Sequence, residues 1–234
     1  MPVSPNSLLT ADSLFCERDD RVLFSGLSFS VEPGQILQIE GPNGSGKTTL
    51  IRILCGLSQD FEGDLFWRGQ PMSEVASQFR QSCVYFGHNT GVKLALTAEE
   101  NLHWMSQIKG IQADKHSLNE NIQNLLDKVG LRGFEDVPLY TLSAGQKRRV
   151  ALASLLLKPI PLWILDEPFT AIDKKGVAEL EQLIIEQANN GGSVVLTTHH
   201  ELAISPEKLK TLTLGSQATQ SEARMDLEQE AADE

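Results

Sequence analysis

A glycine-rich segment near the N-terminus constrains the fold of this chain more than any other feature. Residues 36–40 are I-L-Q-I-E, residues 41–48 are G-P-N-G-S-G-K-T, and residues 49–57 are T-L-I-R-I-L-C-G-L. The pattern G-x-x-x-x-G-K-[ST] between an apolar strand and a helix is typical of a loop that binds the phosphates of a nucleotide. The alternative is a glycine-rich turn that only links the strand to the helix.

The residue types in this segment explain how it would bind phosphate. Gly41, Gly44 and Gly46 can adopt backbone conformations closed to other residues, so that successive N–H groups can surround an anion. The helix that starts near Lys47 adds its unpaired N-terminal amides. We expect Lys47 to contact the β- and γ-phosphates and Thr48 to offer its hydroxyl oxygen to Mg²⁺. The predicted nucleotide-binding residues are Gly41, Pro42, Asn43, Gly44, Ser45, Gly46, Lys47, Thr48 and Thr49.

Length and composition limit the class of protein. A chain of 234 residues is long enough for one large α/β domain, or for a core domain with an inserted subdomain. Its net charge of -11 argues against nonspecific binding to nucleic acid or to anionic lipid. Three widely spaced cysteines match neither a disulfide framework nor a metal site and favour a reduced, cytosolic compartment. We find no secretory signal and no apolar run of the roughly 20 residues that are needed to cross a bilayer. If the protein works at a membrane, we therefore expect another chain to hold it there.

Strand-like and helix-like patterns alternate along much of the chain, which predicts an α/β fold with a largely parallel sheet. From Thr97 to about Leu157 the signals are helical, beginning with a capping box at Thr97 and Glu100. We therefore predict a single domain over residues 1–216 with a helical subdomain at about 88–158. Residues 217–234 contain six acidic residues against one arginine, which predicts a solvated, disordered tail.

Two carboxylates follow the apolar run at residues 162–165. Because parallel sheets place their ligands at the carboxyl ends of strands, Asp166 and Glu167 are expected to lie at the nucleotide. Asp166 would hold Mg²⁺ opposite Thr48, and Glu167 would orient or deprotonate the attacking water. The alternative is a pair of surface acids where a strand leaves the core.

A second candidate for phosphate binding is the start of another helix. The motif L-S-A-G-Q at residues 142–146 precedes the helical segment K-R-R-V-A-L-A-S-L-L-L. The pattern S-x-x-Q is also that of a capping box, with which any amphipathic helix can begin. The functional alternative is that Ser143, Ala144 and Gly145 offer a hydroxyl and backbone amides to a phosphate. The residues by themselves leave both interpretations open.

Four motifs in this order resemble the nucleotide-binding subunit of ATP-binding-cassette (ABC) transporters. They are the phosphate loop, L-S-A-G-Q, the strand ending in Asp166-Glu167, and a histidine after V-V-L-T-T. The resemblance covers roughly residues 14–214. It implies a P-loop NTPase of the ABC type, with a mostly parallel core sheet, an antiparallel β part and an inserted helical subdomain, which hydrolyses ATP with Mg²⁺.

The same resemblance implies roles for individual residues. His199 matches the switch histidine that contacts the γ-phosphate, and A-I-D at residues 171–173 matches a loop that crosses to a second copy. His200 is assigned no role. In the family two copies close head to tail, and a signature segment of one completes the γ-phosphate site of the other. The matching residues here are Ser143, Ala144, Gly145 and Gln146.

Two positions depart from the family pattern. The loop after Tyr85-Phe86 usually has a glutamine that approaches Mg²⁺ and the transmembrane partner, and His88 stands in that place. An imidazole could still accept a hydrogen bond from the attacking water. Near the N-terminus the family usually stacks a tyrosine on adenine, and the matching position is Arg18. Arg18 either stacks on the base or is a surface charge.

Two longer strings resemble one branch of the family. Y-F-G-H-N-T-G-V-K-L-A-L-T-A-E-E-N-L and P-L-W-I-L-D-E-P-F-T-A-I-D-K-K-G are similar to the ATP-binding subunit of the bacterial cytochrome c maturation system, the heme exporter. This implies a peripheral subunit at the cytoplasmic face of the inner membrane, docked on an integral-membrane permease, whose ATP hydrolysis supports heme export or release of a heme-loaded chaperone. The alternative is an ABC ATPase for another substrate. Because no C-x-x-C-H pattern is present, direct heme ligation is not expected.

Overall fold

The computed structural model describes residues 6–87, 91–170 and 172–215. The described chain forms two compact units, each assembled from separate stretches of sequence. The first unit consists of Met1–Tyr85, Pro161–Pro168 and Ile184–Glu234, within the described residues. The second unit consists of Phe86–Ile160 and Phe169–Leu183, with the same restriction.

An antiparallel sheet lies in the first unit. Its strands are β1 (Leu9–Arg18), β2 (Arg21–Val31), β4 (Glu62–Trp67) and β5 (Gln70–Pro71), in the spatial order β2-β1-β4-β5. β1 and β2 form a hairpin in which Arg18 lies opposite Arg21. The two residues between them, Asp19 and Asp20, have φ values of 52° and 57°. Two successive residues with positive φ are typical of a tight hairpin turn.

A five-stranded sheet is the central element of the first unit. Its strands are β3 (Ile36–Glu40), β6 (Cys83–Phe86), β7 (Leu162–Asp166), β8 (Ser193–Thr197) and β9 (Leu209–Thr213). Their spatial order is β6-β7-β8-β3-β9, and the pairs β7–β8, β8–β3 and β3–β9 are parallel. Every residue of β7 and β8 is buried, as expected for strands of a parallel sheet that is covered on both faces. The predicted fold class, α/β with a mostly parallel core sheet and an antiparallel part, is confirmed.

Two helices accompany these sheets. α1 (Lys47–Leu54) follows β3 through the glycine-rich loop, as predicted, and buries Leu50, Ile51, Ile53 and Leu54 in the core of the first unit. After the helix, Gly56 has a φ of 69° and its N–H donates to the carbonyl of Ile53 at 2.9 Å. A glycine in the left-handed conformation is a common way to end a helix. α2 (Met72–Ser82) had no sequence prediction.

The second unit is helical. It contains α3 (Ala98–Ile108), α4 (Lys115–Lys128), α5 (Ala144–Ala153) and the first part of α6 (Lys174–Asn189). Its core includes the fully buried residues Leu102, Ile122, Leu126 and Val150. The capping box predicted at the start of α3 is confirmed. The N–H of Glu100 donates to Oγ1 of Thr97 at 3.1 Å, and the N–H of Thr97 donates to Oε2 of Glu100 at 2.8 Å.

Lys109, the residue after α3, has an unusual environment within the second unit. Its ammonium group donates a hydrogen bond to the carbonyl of Ser154, and the ammonium group of Lys158 donates to the carbonyl of Lys109 at 3.3 Å. Burial, and then the nearby positive charge of Lys158, lower the pKa of Lys109 to about 8. The charged form of Lys109 is therefore less favourable in the folded chain than in water.

Candidate functional site

Three parallel strands of the first unit end at the same edge of the central sheet. β3 leads into the glycine-rich loop, β7 ends at Asp166, and β8 ends at Thr197. Asp166 and Thr197 are direct neighbours in the pairing register of their strands. Ligands of open parallel sheets bind outside the carboxyl ends of the strands. The glycine-rich loop and Asp166 therefore lie at the edge where ligands of such sheets bind.

The glycine-rich loop has a backbone conformation that favours glycine. The φ value is 143° at Gly41, 79° at Gly44 and 94° at Gly46, in a region that residues with a side chain rarely adopt. A Cβ atom at Gly41 would lie 2.6 Å from the carbonyl oxygen of Leu214 and 2.7 Å from Oγ of Ser45. The hydroxyl of Ser45 is buried and has no hydrogen-bond partner among the residues that the structure describes. A loop of this form, with an unused polar atom, fits a ligand rich in acceptor oxygens.

Lys47 begins α1, and its side chain turns back over the loop. Its ammonium group donates hydrogen bonds to the carbonyl of Gly41 at 2.7 Å and to the carbonyl of Pro42 at 3.1 Å. Lys47 is buried, whereas Asn43 in the loop is exposed and Thr49 on the helix is half-buried. The positive charge of Lys47 is thus fixed within the loop.

Thr48, Asp166 and Thr197 form a hydrogen-bonded group. Oγ1 of Thr48 lies 3.4 Å from Oδ1 of Asp166, and Oγ1 of Thr197 lies 2.7 Å from the same oxygen. A hydroxyl and a carboxylate at this spacing are suitable oxygen ligands for a divalent ion that is also bound by phosphate. In the described part of the chain, no group of three or more His, Cys, Asp and Glu side chains could hold a metal by itself. With Thr48 and Asp166 as protein ligands, a divalent ion would have coordination positions left for phosphate oxygens and water.

Glu167 and His199 lie beyond the ends of β7 and β8. Nε2 of His199 is 3.6 Å from Oε1 of Glu167. Glu167 has a φ of 48°, which is uncommon for a residue other than glycine and is often found at functional sites. Its backbone N–H donates to Oγ1 of Thr197 at 3.0 Å and to the carbonyl of Thr197 at 3.2 Å. These bonds fix the direction in which the Glu167 side chain leaves the strand.

The sequence motifs assign no role to two further residues beside this site, Thr197 and Arg21. Thr197 is the last residue of β8, a buried strand that pairs with β7. A polar residue at the end of this strand is the feature of the sequence that could have indicated its role. Arg21 lies beside the phosphate loop, with Nη1 3.7 Å from where a Cβ of Gly44 would be. Arg18, the position that matches the family's adenine-stacking tyrosine, is exposed on the opposite strand of the hairpin. Arg21 is thus an arginine of the hairpin that lies next to the loop.

The motif at residues 142–146 begins α5 in the second unit. Oγ of Ser143 accepts a hydrogen bond from the N–H of Gln146 at 3.2 Å, and Oε1 of Gln146 accepts one from the N–H of Ser143 at 2.9 Å. The capping-box interpretation is therefore confirmed. An open cavity of about 700 Å³ lies at this helix start and is lined by residues 143–146 together with Arg149 and Asp173. The capping box leaves this helix start, with Ser143 and Ala144 exposed, facing the cavity.

The A-I-D segment is described only in part. Ala171, like His88 and the acidic tail at 217–234, lies outside the described residues. Asp173 precedes α6, and its Oδ1 accepts a hydrogen bond from the N–H of Gly176 at 2.9 Å. This bond, and then a bond from the guanidinium of Arg149, hold the pKa of the Asp173 carboxyl below its usual range. Asp173 is therefore a fixed negative charge at the start of α6.

Comparisons with known proteins relate these features to a family. The family model described as ABC transporter matches residues 24–170. The cytochrome c biogenesis ATP-binding export protein CcmA of Hahella chejuensis is 54% identical over 210 residues, which cover 89% of this chain and 96% of that protein. The protein of the same name from Pseudomonas putida is 50% identical over 210 residues, which cover 90% of this chain and 98% of that protein.

A solved structure supports the fold independently. The structure described as the ATP binding subunit of an ABC transporter matches with a TM-score of 0.75 at 24% identity, covering 90% of this chain and 89% of that one. The family match spans more than half of the chain, and the two relatives are similar over nearly their whole length. This chain therefore belongs to the ABC transporter family, among the cytochrome c biogenesis ATP-binding export proteins.

Proposed function

We propose that this chain is the ATP-hydrolysing subunit of a membrane complex for cytochrome c biogenesis. It couples ATP hydrolysis to export of heme or to release of a heme-loaded chaperone. The main support is the meeting of a phosphate loop, two carboxylates and a histidine at one edge of a parallel sheet. The 54% identity to a cytochrome c biogenesis ATP-binding export protein supports the process in which this site works.

The phosphate loop binds the triphosphate of ATP. Backbone N–H groups of the loop and of the first turn of α1 surround the phosphates, with Pro42 as the one residue of the loop that has none, and the N-terminal end of α1 adds its dipole. Lys47, which bonds two loop carbonyls, exchanges these contacts for the β- and γ-phosphate oxygens. The buried hydroxyl of Ser45, unpartnered within the described chain, supports a ligand with acceptor oxygens at this place.

Thr48 and Asp166 hold Mg²⁺ together with the phosphates. Magnesium in nucleotide sites is bound by one or two protein oxygens, substrate phosphates and water, and the 3.4 Å spacing of the two side-chain oxygens fits such a set. When bound, the ion neutralises charge on the β- and γ-phosphates. A contact between His88 and Mg²⁺ is supported by the sequence alone.

Glu167 orients the attacking water and accepts its proton. Glu167 follows directly after Asp166, the proposed metal ligand. His199, 3.6 Å from Glu167, donates a hydrogen bond from its ring to the γ-phosphate. Donors that are already in place where charge develops lower the barrier, and the loss of one commonly costs about 3 kcal/mol.

A second copy of the chain completes the site. The amides at the start of α5 suit an anion, and the open cavity at residues 143–146 leaves them accessible. Ser143, Ala144, Gly145 and Gln146 of one copy close over the γ-phosphate held by Lys47 of the other. Closure excludes water, which strengthens the contacts to the phosphates.

A permease subunit holds this protein at the cytoplasmic face of the inner membrane. Within the residues that the structure describes, no helix has both the length and the apolar character to span a bilayer. Membrane attachment is therefore assigned to an integral-membrane partner, on which the pair of ATP-binding subunits docks. Neither nucleic acid binding nor direct heme ligation belongs to this function.

The test is complementation of a bacterium whose own cytochrome c biogenesis ATP-binding export protein has been deleted. The parent chain is expected to restore c-type cytochromes, measured by heme staining of membrane proteins. Lys47→Ala, expressed to the same level, is expected to restore none. Restoration by Lys47→Ala equal to that by the parent would reject ATP use, and a parent chain that hydrolyses ATP without restoring cytochromes would point to another substrate.

A further inference from the structure

One buried hydroxyl makes two contacts at the proposed catalytic edge. Oγ1 of Thr197 donates a hydrogen bond to Oδ1 of Asp166 at 2.7 Å and accepts one from the backbone N–H of Glu167 at 3.0 Å. A threonine hydroxyl has one hydrogen to donate and lone pairs to accept. The same side chain therefore holds the carboxylate of one residue and the backbone of the next.

Both contacts of Thr197 are to residues whose orientation matters for the proposed reaction. Asp166 is only 7% exposed, so that its carboxylate depends on hydrogen bonds within the protein. Glu167 has a φ of 48°, a conformation that persists only when its surroundings fix it. The contacts of Thr197 provide part of that constraint on both residues.

The residue type is informative because its surroundings are apolar. Thr197 ends a strand in which every residue is buried, and it is itself 0% exposed. Valine has the same shape and suits a strand equally well, whereas a buried hydroxyl is unfavourable unless it is hydrogen-bonded. Packing and strand formation thus do not explain a threonine at this position. The two hydrogen bonds of its hydroxyl explain why a threonine is found there.

We propose that Thr197 is a positioning residue for ATP hydrolysis, whose hydroxyl sets the Asp166 carboxylate and the Glu167 backbone in one arrangement. This inference rests on the proposed function, in which Asp166 holds the metal and Glu167 orients the water. Thr197 acts through these two residues, to which its hydroxyl is hydrogen-bonded.

The experiment compares variants of the full-length chain in an ATPase assay with Mg²⁺. Thr197→Val removes the hydroxyl at constant shape, Thr197→Ala removes it with a smaller side chain, and Thr197→Ser keeps it. Ser193→Ala is the matched control, because Ser193 is a fully buried hydroxyl at the other end of β8 that donates to the carbonyl of Glu32 at 2.8 Å. The readouts are kcat, KM for ATP, the Mg²⁺ concentration at half-maximal rate and, for each variant without nucleotide, the free energy of unfolding in urea.

We expect Thr197→Val and Thr197→Ala to lower kcat on the order of tenfold to a hundredfold, as the loss of a hydrogen bond to a charged group implies. The Mg²⁺ requirement should rise severalfold, and KM at saturating Mg²⁺ should change little. Thr197→Ser should stay near the parent, and Ser193→Ala should lower stability without lowering kcat.

Two results would overturn this inference while the proposed function stands. One is a kcat for Thr197→Val within twofold of the parent, in an assay where Glu167→Gln is inactive. The other is an equal loss in Thr197→Val and Thr197→Ser, which would show that the hydroxyl is not responsible. A parent chain without ATPase activity, alone and in its membrane complex, would instead reject the proposed function.

Discussion

The guanidinium of Arg149 on α5 lies 2.7 Å from the carboxylate of Asp173 at the start of α6. Its other terminal nitrogen, Nη1, lies 3.0 Å from Oε2 of Glu179 and 3.2 Å from the carbonyl of Val129. The side chain of Arg149 is only 12% exposed. Because Val129 follows α4, this one residue joins three helices of the second unit, next to the cavity at the start of α5.

Replacement of Arg149 by glutamine is expected to lower the free energy of unfolding by about 1.5–3 kcal/mol, since charged hydrogen bonds are lost in a largely buried place. Arg132→Gln is the matched control. Arg132 and Asp127 are 3.8 Å apart and are 83% and 52% exposed, so this variant should change stability by less than about 0.5 kcal/mol. Urea unfolding of both variants provides the measurement. Equal effects would show that Arg149 does not join the helices.

Gly41→Ala tests the close packing of the phosphate loop. The new Cβ would meet Leu214 and Ser45 at 2.6 and 2.7 Å, and φ is 143°. We expect a loss of stability of about 1–3 kcal/mol, together with weaker ATP binding. Gly69→Ala is the control, because Gly69 has a φ of 77° but no atom within 4 Å of the added Cβ. Thermal unfolding of each variant, with and without ATP, should separate the loss of stability from the loss of ATP binding. Unchanged ATP affinity in Gly41→Ala would contradict the assigned role of the loop.

Lys109 should make a pH-dependent contribution to stability. Its pKa is lowered from 10.5 to about 8 in the folded chain, so between these pH values the unfolded chain binds a proton that the folded chain has released. The contribution of Lys109 therefore becomes more favourable as the pH rises through this window, by at most about 1.4 kcal/mol per pH unit.

The measurement is the difference in unfolding free energy between the parent and Lys109→Met from pH 7 to pH 11. Taking the difference cancels the titration of groups common to both chains. The parent should gain stability relative to Lys109→Met across the window. Lys175→Met removes a lysine that is 78% exposed, and its difference from the parent should stay flat. A flat difference for Lys109→Met would show that Lys109 is not desolvated.

Much of this structure could be predicted because it depends on local sequence. The glycine-rich loop follows from the order of residues within 41–48, and its positive φ values at Gly41, Gly44 and Gly46 agree with that expectation. The capping boxes at Thr97 and Ser143 are likewise short patterns with a local physical cause. The strand β7 was predicted from a continuous apolar run bounded by two carboxylates.

Other features depend on contacts between distant parts of the chain. Thr197 is assigned a role only because the register of β7 and β8 pairs it with Asp166. Arg149 was part of a helix pattern, and its contact with Asp173 appears only in the tertiary structure. The helix α2 and the strand β9 were not predicted. Both have mixed polar and apolar residues, with mostly half-buried or exposed positions that give a weak pattern.

The Glu167→Gln variant tests the central claim, that ATP held at the phosphate loop is hydrolysed with Glu167 at the attacking water and is enclosed by two copies. Glutamine keeps the size of the side chain but cannot accept the proton. The measurement is phosphate release with Mg²⁺ and ATP, with the particle mass determined by light scattering on the same sample. We predict bound ATP, no phosphate release over many parental turnovers, and a mass twice that of the 25.7 kDa chain. Phosphate release at the parental rate from a particle that stays at 25.7 kDa would contradict the account.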